Sequence, residues 1–533
     1  MQPRAIEAYR KAFDDNELSR DQVGTLIDAV DKLSQRVAWF ERQLFGEKSE
    51  RRLPPADPQQ GTLGESFDAV PEDGPKSKRV KVEGHERDRK FKSPAADGGE
   101  DTQPFFDESK VPVETIEVPN PEIEGLSPEQ YEVVGQKVTH RLAQRPGSYV
   151  ILKYVRTVIK RHDEGKLACP PAPTGVIEGS RADVSFLAGM MVDKFDYHVP
   201  LYRQHRRLQA AGMRVSRQWL TQLMQLGVGL LEPIYDAQIA DVLSDRVKAM
   251  DETPIKAGVA STGKMKTAYF WPVYGQNDEV CFFYYPDRSG KNVVDALGLK
   301  PPDGAVLLTD GYAAYEQYAR KTGLTHAQCW AHTRRAFFDA KVVEPQRVEH
   351  ALKMIGELYE VEEEIRNRNL VGDAKRALRQ GKARPRVSAF LGWVDEQFDS
   401  QGFLPSSPLT AALAYTRERR EGLQVYLDDP DVPIDTNHLE RALRAIPMGR
   451  KNWLFCWTEV GAQHVATVQS LLVTCRLHDI DPYEYFVDVL QRVGQHPASR
   501  VTELTPRNWK RLYAANPLRS PLHEIERRFK NAA

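Results

Sequence analysis

The sequence predicts a multidomain protein, α/β plus α: a sheet-based core carrying a helical insertion, preceded by a helical region and an N-terminal coiled coil. Three observations predict it. Val23, Leu26, Val30, Leu33, Val37, Phe40 and Leu44 follow the alternating three-four spacing of a heptad seam. Between 247 and 309 the pattern runs strand, strand, strand, helix, strand, the second and third strands being the aromatic hairpin runs Thr267–Tyr274 and Glu279–Tyr285. The interval from Asp310 to Glu440 then spans 130 residues (440 − 310), with helical periodicity at 351–379 and around Trp393.

The 533 residues suffice for roughly three or four domains of about 150 residues. Lys plus Arg total 74 and Asp plus Glu 75, a net charge of −1, so any nucleic-acid surface must be a local patch. Hydrophobic residues at 41% and charged residues at 28% describe a globular chain. No apolar run reaches the roughly 18 residues of a membrane span, and the first residues lack the apolar segment of a signal peptide. The five cysteines (169, 281, 329, 456, 475) contain no Cys-x-x-Cys pair. Free thiols in a reducing, cytoplasmic compartment are expected.

Residues 1–52 form the heptad helix, read either as a two-stranded coiled coil or as a helix docked on its own chain; Gly46 ends it. Residues 53–128 read as a linker rich in Pro, Gly and alternating charge. Its basic run (Lys76, Lys78, Arg79, Lys81, Arg87, Arg89, Lys90, Lys92) suits either phosphates or plain solvation. Residues 129–178 hold short β-like runs ending at Cys169-Pro170-Pro171. In 179–245 a helix from Tyr202 to Ala211, a break at Gly212, and a second helix capped by Ser216 and running from Arg217 to about Leu226 suggest a helix-turn-helix. Arg203, Arg206, Arg207, Arg214 and Arg217 are its candidate DNA contacts, although an ordinary αα-hairpin has the same pattern.

The core occupies 246–480, with its helical insertion at about 340–430, and 481–533 completes the chain. Val247–Met250 and Ala305–Thr309 are short strands, each followed by a carboxylate, Asp251 and Asp310. The element order is that of the ribonuclease-H-like fold, where the first and fourth strands are neighbours and these two carboxylates would meet. Such a hard, oxygen-rich site suits Mg²⁺, or Mn²⁺. Two ions about 3.5–4 Å apart can serve in-line phosphoryl transfer. A third carboxylate is needed, and Glu440 is the candidate, on a helix whose buried face is Leu439, Leu443 and Ile446. An exposed pair of Glu440 with Arg444 is the bland alternative. Cys329-x-x-His332 lacks a second pair at finger spacing.

From Phe45 nearly to the C-terminus the chain resembles the transposases of bacterial insertion sequence sixty-six, a branch of the DDE transposases (TnpC type). The matching stretches are Phe45-Gly46-Glu47-Lys48-Ser49-Glu50-Arg51, Pro200-Leu201-Tyr202-Arg203-Gln204, Asp251-Glu252-Thr253-Pro254 and Thr309-Asp310-Gly311-Tyr312. Cys329-Trp330-Ala331-His332-Thr333-Arg334-Arg335, Glu440-Arg441-Ala442-Leu443-Arg444 and Gly449-Arg450-Lys451-Asn452-Trp453-Leu454-Phe455 complete the set. The resemblance assigns Asp251, Asp310 and Glu440 as catalytic, metal-holding residues. It implies a DNA transposase that cleaves element ends and joins them to target DNA, acting in the bacterial cytoplasm at the nucleoid. It also implies a homo-oligomer and two small accessory proteins of the same element. Arg334, Arg335, Arg444, Arg450 and Lys451 join the DNA-binding candidates, and Lys375, Arg376, Arg379, Lys382, Arg384 and Arg386 would form a basic edge on the insertion.

The chain departs from the family twice. Relatives carry a zinc-binding domain on Cys-x-x-Cys pairs, whereas only Cys169 remains here, so 129–178 is expected as a degenerate, metal-free zinc-finger-like domain. The usual Asp-Asn-Asn reads Asp435-Thr436-Asn437. An inactive DNA-binding relic and a ribonuclease-H-like nuclease remain the alternatives.

Overall fold

The computed structural model describes residues 105–523, apart from 110, 125–126, 146, 162–166, 262–263, 401–406, 455 and 457. The heptad helix, the basic run and the motif at 45–51 lie outside the described residues. Among the described residues no helix is long and apolar enough to cross a membrane.

Two sheets organise the described residues. The first holds β1 (Val113–Val118), β2 (Tyr131–Arg145), β3 (Ser148–Arg161) and β4 (Leu167–Ala168). β2 and β3 make an antiparallel hairpin that turns at Gly147, whose φ of +86° suits glycine. β1 runs parallel to β3, so a strand stands inside the segment expected to be linker. A six-residue strand whose partner lies 38 residues on (151 − 113) leaves little local signal. Cys169, just past β4, is a half-buried free thiol.

Next come α1 (Val184–Phe195), α2 (Leu201–Ala210) and α3 (Arg217–Ser244). Ser216 caps α3 by accepting the Trp219 amide at 3.1 Å. The helix does not end near Leu226, however: it runs 28 residues, through Pro233. Leu220, Leu223, Met224, Val228, Leu231 and Ile234 keep one face buried along that length, and packing outweighs the lost proline N–H. α3 is thus a core helix that packs against the second sheet along its buried face.

The second sheet contains β5 (Val247–Met250), β6 (Thr253–Ser261), β7 (Lys264–Gly275), β8 (Val280–Tyr285), β9 (Val306–Thr309) and β10 (Thr325–Gln328). β5, β9 and β10 are parallel; β7 runs antiparallel to β5 and pairs β8 antiparallel. Every residue of β5 and β9 is buried, as in strands covered on both faces. On one side α4 (Gly290–Leu297) and α5 (Ala313–Thr322) enclose Met250, Trp271, Val273 and Leu307. On the other lie α3 and a later helix, Glu459–Leu477.

The helical insertion leaves the sheet through α6 (Trp330–Asp339) and α7 (Pro345–Asn367), turns at a π-helical segment Arg379–Ala383, and continues as α8 (Arg384–Asp399) and α9 (Pro408–Glu418). It returns through α10 (Asn437–Leu443) and α11 (Ala445–Trp453). Arg379 is not on a basic edge but fully buried. Its Nε and Nη2 hold Glu362 at 2.8 and 2.9 Å, and its Nη1 donates to the Tyr426, Asp429 and Val432 carbonyls at 2.7, 3.1 and 3.0 Å. Lys382, Arg384 and Arg376 pair with Glu364, Asp428 and Asp373, and Arg386 donates to the Glu357 carbonyl. The expected edge is thus largely neutralised by the insertion's own acids.

Glu279, at the start of the β8 strand region, is fully buried beside Arg507, whose Nε lies 3.0 Å away. Burial pushes its carboxyl up to about 7, against the pull of Arg507. The folded state therefore holds a proton that the unfolded chain releases near pH 4.5. Its contribution is present below that pH and is lost as pH rises through about 7. Thermal denaturation of the wild type is expected to lose stability between pH 5 and 8, and Glu279→Gln, which mimics the protonated form, should flatten that slope. An equal slope in both proteins would refute this.

Candidate active site

β5 and β9 are parallel neighbours with Val247 opposite Val306, Lys248 opposite Leu307 and Ala249 opposite Leu308, a constant offset of 59 residues (306 − 247). Asp251 and Asp310 share that offset (310 − 251), so they leave the sheet at the same level, side by side. Asp251 Oδ1 accepts its neighbour's amide, Glu252 N, at 2.7 Å, and Asp310 Oδ1 accepts Tyr312 N at 2.9 Å. Burial, and then the charges of Glu252 and Asp310, push the Asp251 carboxyl up to about 7, while the Glu252 amide and His332 pull it down.

Glu440 reaches the neighbourhood through α10. Asp435 starts that helix, accepting Asn437 N at 3.0 Å and Asn437 Nδ2 at 2.6 Å. Leu439 is buried, whereas the Glu440 side chain is 42% exposed, its Oε1 3.9 Å from His332 Nε2. Among the described residues, no three His, Cys, Asp or Glu side chains stand close enough to hold one metal ion. The two aspartates form one group, and Glu440 stands beside His332.

The Cys329-x-x-His332 element works as a brace at the start of α6. The Cys329 sulfur accepts both the amide and the hydroxyl of Thr436 at 3.3 Å, and Trp330 N donates to the Ile434 carbonyl at 3.1 Å. One turn on, His332 faces Glu440. Burial pushes the Cys329 thiol up to about 11, which keeps it protonated at neutral pH. Thr436 supplies both the amide and the hydroxyl of this contact.

Sequence reasoning gave no role to three neighbours of the aspartates, Glu252, Arg288 and Arg419. Glu252, its side chain only 4% exposed, is held by Arg288 Nε at 2.7 Å and by the Tyr315 hydroxyl at 2.6 Å. Arg288 lies 4.2 Å above the Tyr312 ring. From α9, Arg419 stacks on Tyr415 at 3.8 Å and donates Nη2 to the Gly311 carbonyl at 3.0 Å. The Asp251-Glu252 doublet was a visible signal for the first; Arg288 and Arg419 stand in no motif. Gly311 is required by close approach, because a Cβ there would lie 2.6 Å from Arg419 Nε and Nη2 and 2.7 Å from Tyr415 Cε2. Gly311→Ala is expected to cost about 1–3 kcal/mol in denaturant unfolding and to slow any reaction of this site. Unchanged stability and rate would show that Arg419 yields freely.

The DNA-binding candidates are scattered. Arg203, Arg214 and Arg217 are exposed around α2 and its loop, Arg217 lying 5.6 Å over the Tyr202 ring. Arg207 is engaged within the fold, by Asp193 and by the Tyr149 hydroxyl at 2.7 Å from its Nε. Arg334, Arg335, Arg444 and Lys451 are exposed near α6, α10 and α11. Arg450 donates to the Pro254 carbonyl at 2.5 Å, tying α11 to β6.

A mixed α/β core with neighbouring acids at parallel strand ends, interrupted by helices, belongs here to a class of DNA-mobilising proteins, the transposases. Residues 179–464 match the family model "Transposase IS66 family" and residues 470–507 match "IS66 C-terminal element", so the chain belongs to the IS66 transposase family. It is 30% identical over 409 residues to the uncharacterized protein y4hP of Sinorhizobium fredii (strain NBRC 101917 / NGR234), covering 72% of each chain. A second uncharacterized protein of that strain, y4qI, is 31% identical over 401 residues, 71% of this chain and 72% of its own.

Proposed function

We propose that this chain is a DNA transposase that cleaves its element's ends and transfers the freed strands to target DNA by metal-dependent, in-line phosphoryl transfer. One observation carries the reading: the shared register that brings Asp251 and Asp310 together beyond the ends of β5 and β9. The strand sequence β8-β7-β5-β9-β10, with β7 antiparallel to β5 and β8 and paired also with β6, supports a ribonuclease-H-like catalytic core.

The donor set fits divalent ions, since Asp251 and Asp310 offer hard oxygens whose mutual repulsion a cation relieves. Asp251, Asp310 and Glu440 would hold them, with Mg²⁺ or Mn²⁺ equally suited, and when bound they activate the attacking oxygen and stabilise the leaving one. The chain's own residues orient the reaction. Cys329 and Trp330 fix the segment leading into α10, and His332 stands against Glu440. Water attacks the phosphodiester at the element end and leaves a 3′-hydroxyl; that hydroxyl then attacks a target phosphodiester, one P–O bond forming as another breaks.

The exposed arginines around α2, α6, α10 and α11 would contact terminal and target DNA. The homo-oligomer, the paired N-terminal helices and the two accessory proteins belong to the same proposal. Glu440's place outside the aspartate pair favours a second reading, a chain that binds its element's ends without cutting them. The test is cleavage of labelled end DNA with Mg²⁺ or Mn²⁺, with and without the accessory proteins and a target plasmid. Binding without cutting would favour the second reading, and cutting without strand-transfer product would make the protein a nuclease.

A further inference from the structure

We infer that Arg288 is the residue that receives a DNA phosphate at the lip of the aspartate pair, and that Glu252 and Tyr312 hold its guanidinium ready for it. The inference rests on the proposed DNA-processing role of this site. A phosphodiester approaching Asp251, Asp310, Glu252 and Glu440 meets four carboxylates, so a fixed cation is needed to offset their repulsion. Two arginines flank the Asp310 loop. Arg419 is spent on the Gly311 and Tyr415 carbonyls and on Glu418, and its side chain is only 17% exposed. Arg288 is different: its side chain is 45% exposed, while its partner Glu252 is 4% exposed.

Its position is held from three sides. Glu252 Oε1 takes its Nε and Nη2, the Tyr312 ring lies beneath it, and the Tyr312 hydroxyl donates to its own carbonyl at 2.6 Å. Tyr312 in turn donates its amide to Asp310. The same residue therefore sets both the carboxylate and the cation. Nη1 has no hydrogen bond among the described residues, and a guanidinium with an open edge matches the geometry of a phosphate.

Arg288→Gln alone strands the Glu252 carboxylate, so the decisive protein is the double variant Arg288→Gln with Glu252→Gln, compared with Glu252→Gln and wild type. The full-length chain is titrated with duplex DNA carrying the element's terminal sequence, in Ca²⁺ over a series of salt concentrations, and its cleavage is followed in Mg²⁺ or Mn²⁺. The double variant is expected to cut about 100-fold more slowly than Glu252→Gln and to lower the slope of log affinity against log salt by about 0.9, one phosphate contact. Arg320→Gln, at an exposed helix pair on α5, provides the control slope. A double variant that matches Glu252→Gln in both rate and slope would overturn the inference and leave Arg288 as a neutraliser of Glu252. If wild type itself cuts nothing, the function proposed above fails, while the salt slopes still decide whether Arg288 meets a phosphate.

Discussion

Asp251→Asn and Asp310→Asn are each expected to lower metal-dependent cleavage of element-end DNA by about 1,000-fold or more, with DNA affinity retained or raised. Each substitution keeps the side chain's shape and removes one negative charge from a site whose oxygens must attract a divalent ion. Asn can still accept the Glu252 or Tyr312 amide through its carbonyl, so the turn after each strand survives. Less repulsion toward phosphate explains why binding should not fall. Glu440→Gln tests the third position separately. Its carboxylate is 42% exposed and leans on His332, so its loss should leave the fold intact. Cutting that survives Glu440→Gln but not the aspartate changes would move the third acid elsewhere, with Glu252 the next carboxylate to test. Full activity in Asp251→Asn would end the proposed mechanism.

Arg379→Met is expected to destabilise the protein by about 3–5 kcal/mol in denaturant unfolding, the usual cost of breaking a buried pair from one side. The change leaves the Glu362 carboxylate, in a 7% exposed residue, without its cation, and three carbonyls of the 426–432 segment without their donor. Adding Glu362→Leu should recover part of the loss by removing the stranded charge, but not the orphaned carbonyls. The effect matters for the site as well as for stability. The segment Arg379 ties down leads directly into Ile434 and Thr436, which Trp330 and Cys329 brace ahead of α10. Loosening it is expected to blur the placement of Glu440. A single variant as stable as wild type would show that Arg379 contributes little.

Four strands of the second sheet were legible because their signals are local, whereas β6 and β10 were not read. Short apolar runs ending on Asp251 and Asp310, and the aromatic hairpin runs Thr267–Tyr274 and Glu279–Tyr285, need no distant partner to be recognised. β1 was not, since Val113–Val118 becomes a strand only by pairing with β3. The full length of α3 was obscured by Pro233, a breaker that burial overrides. Among the arginines the sequence shows charge and not destination. Arg379 and Arg384 sit five residues apart on one apparent basic edge, yet one is buried on Glu362 and the other pairs with Asp428 at the surface.

By itself, then, the sequence determined the family and, through that resemblance, pointed to Asp251, Asp310 and Glu440 as candidates, because the matching motifs are short runs of residue type along the chain. Only the tertiary structure decided what surrounds them: Arg288 on Tyr312 and Glu252, Arg419 on Gly311, and Cys329 on Thr436. These contacts join residues 24 to 108 positions apart (312 − 288, 419 − 311). Over such separations the partner is chosen by strand order and helix packing, which no local pattern encodes.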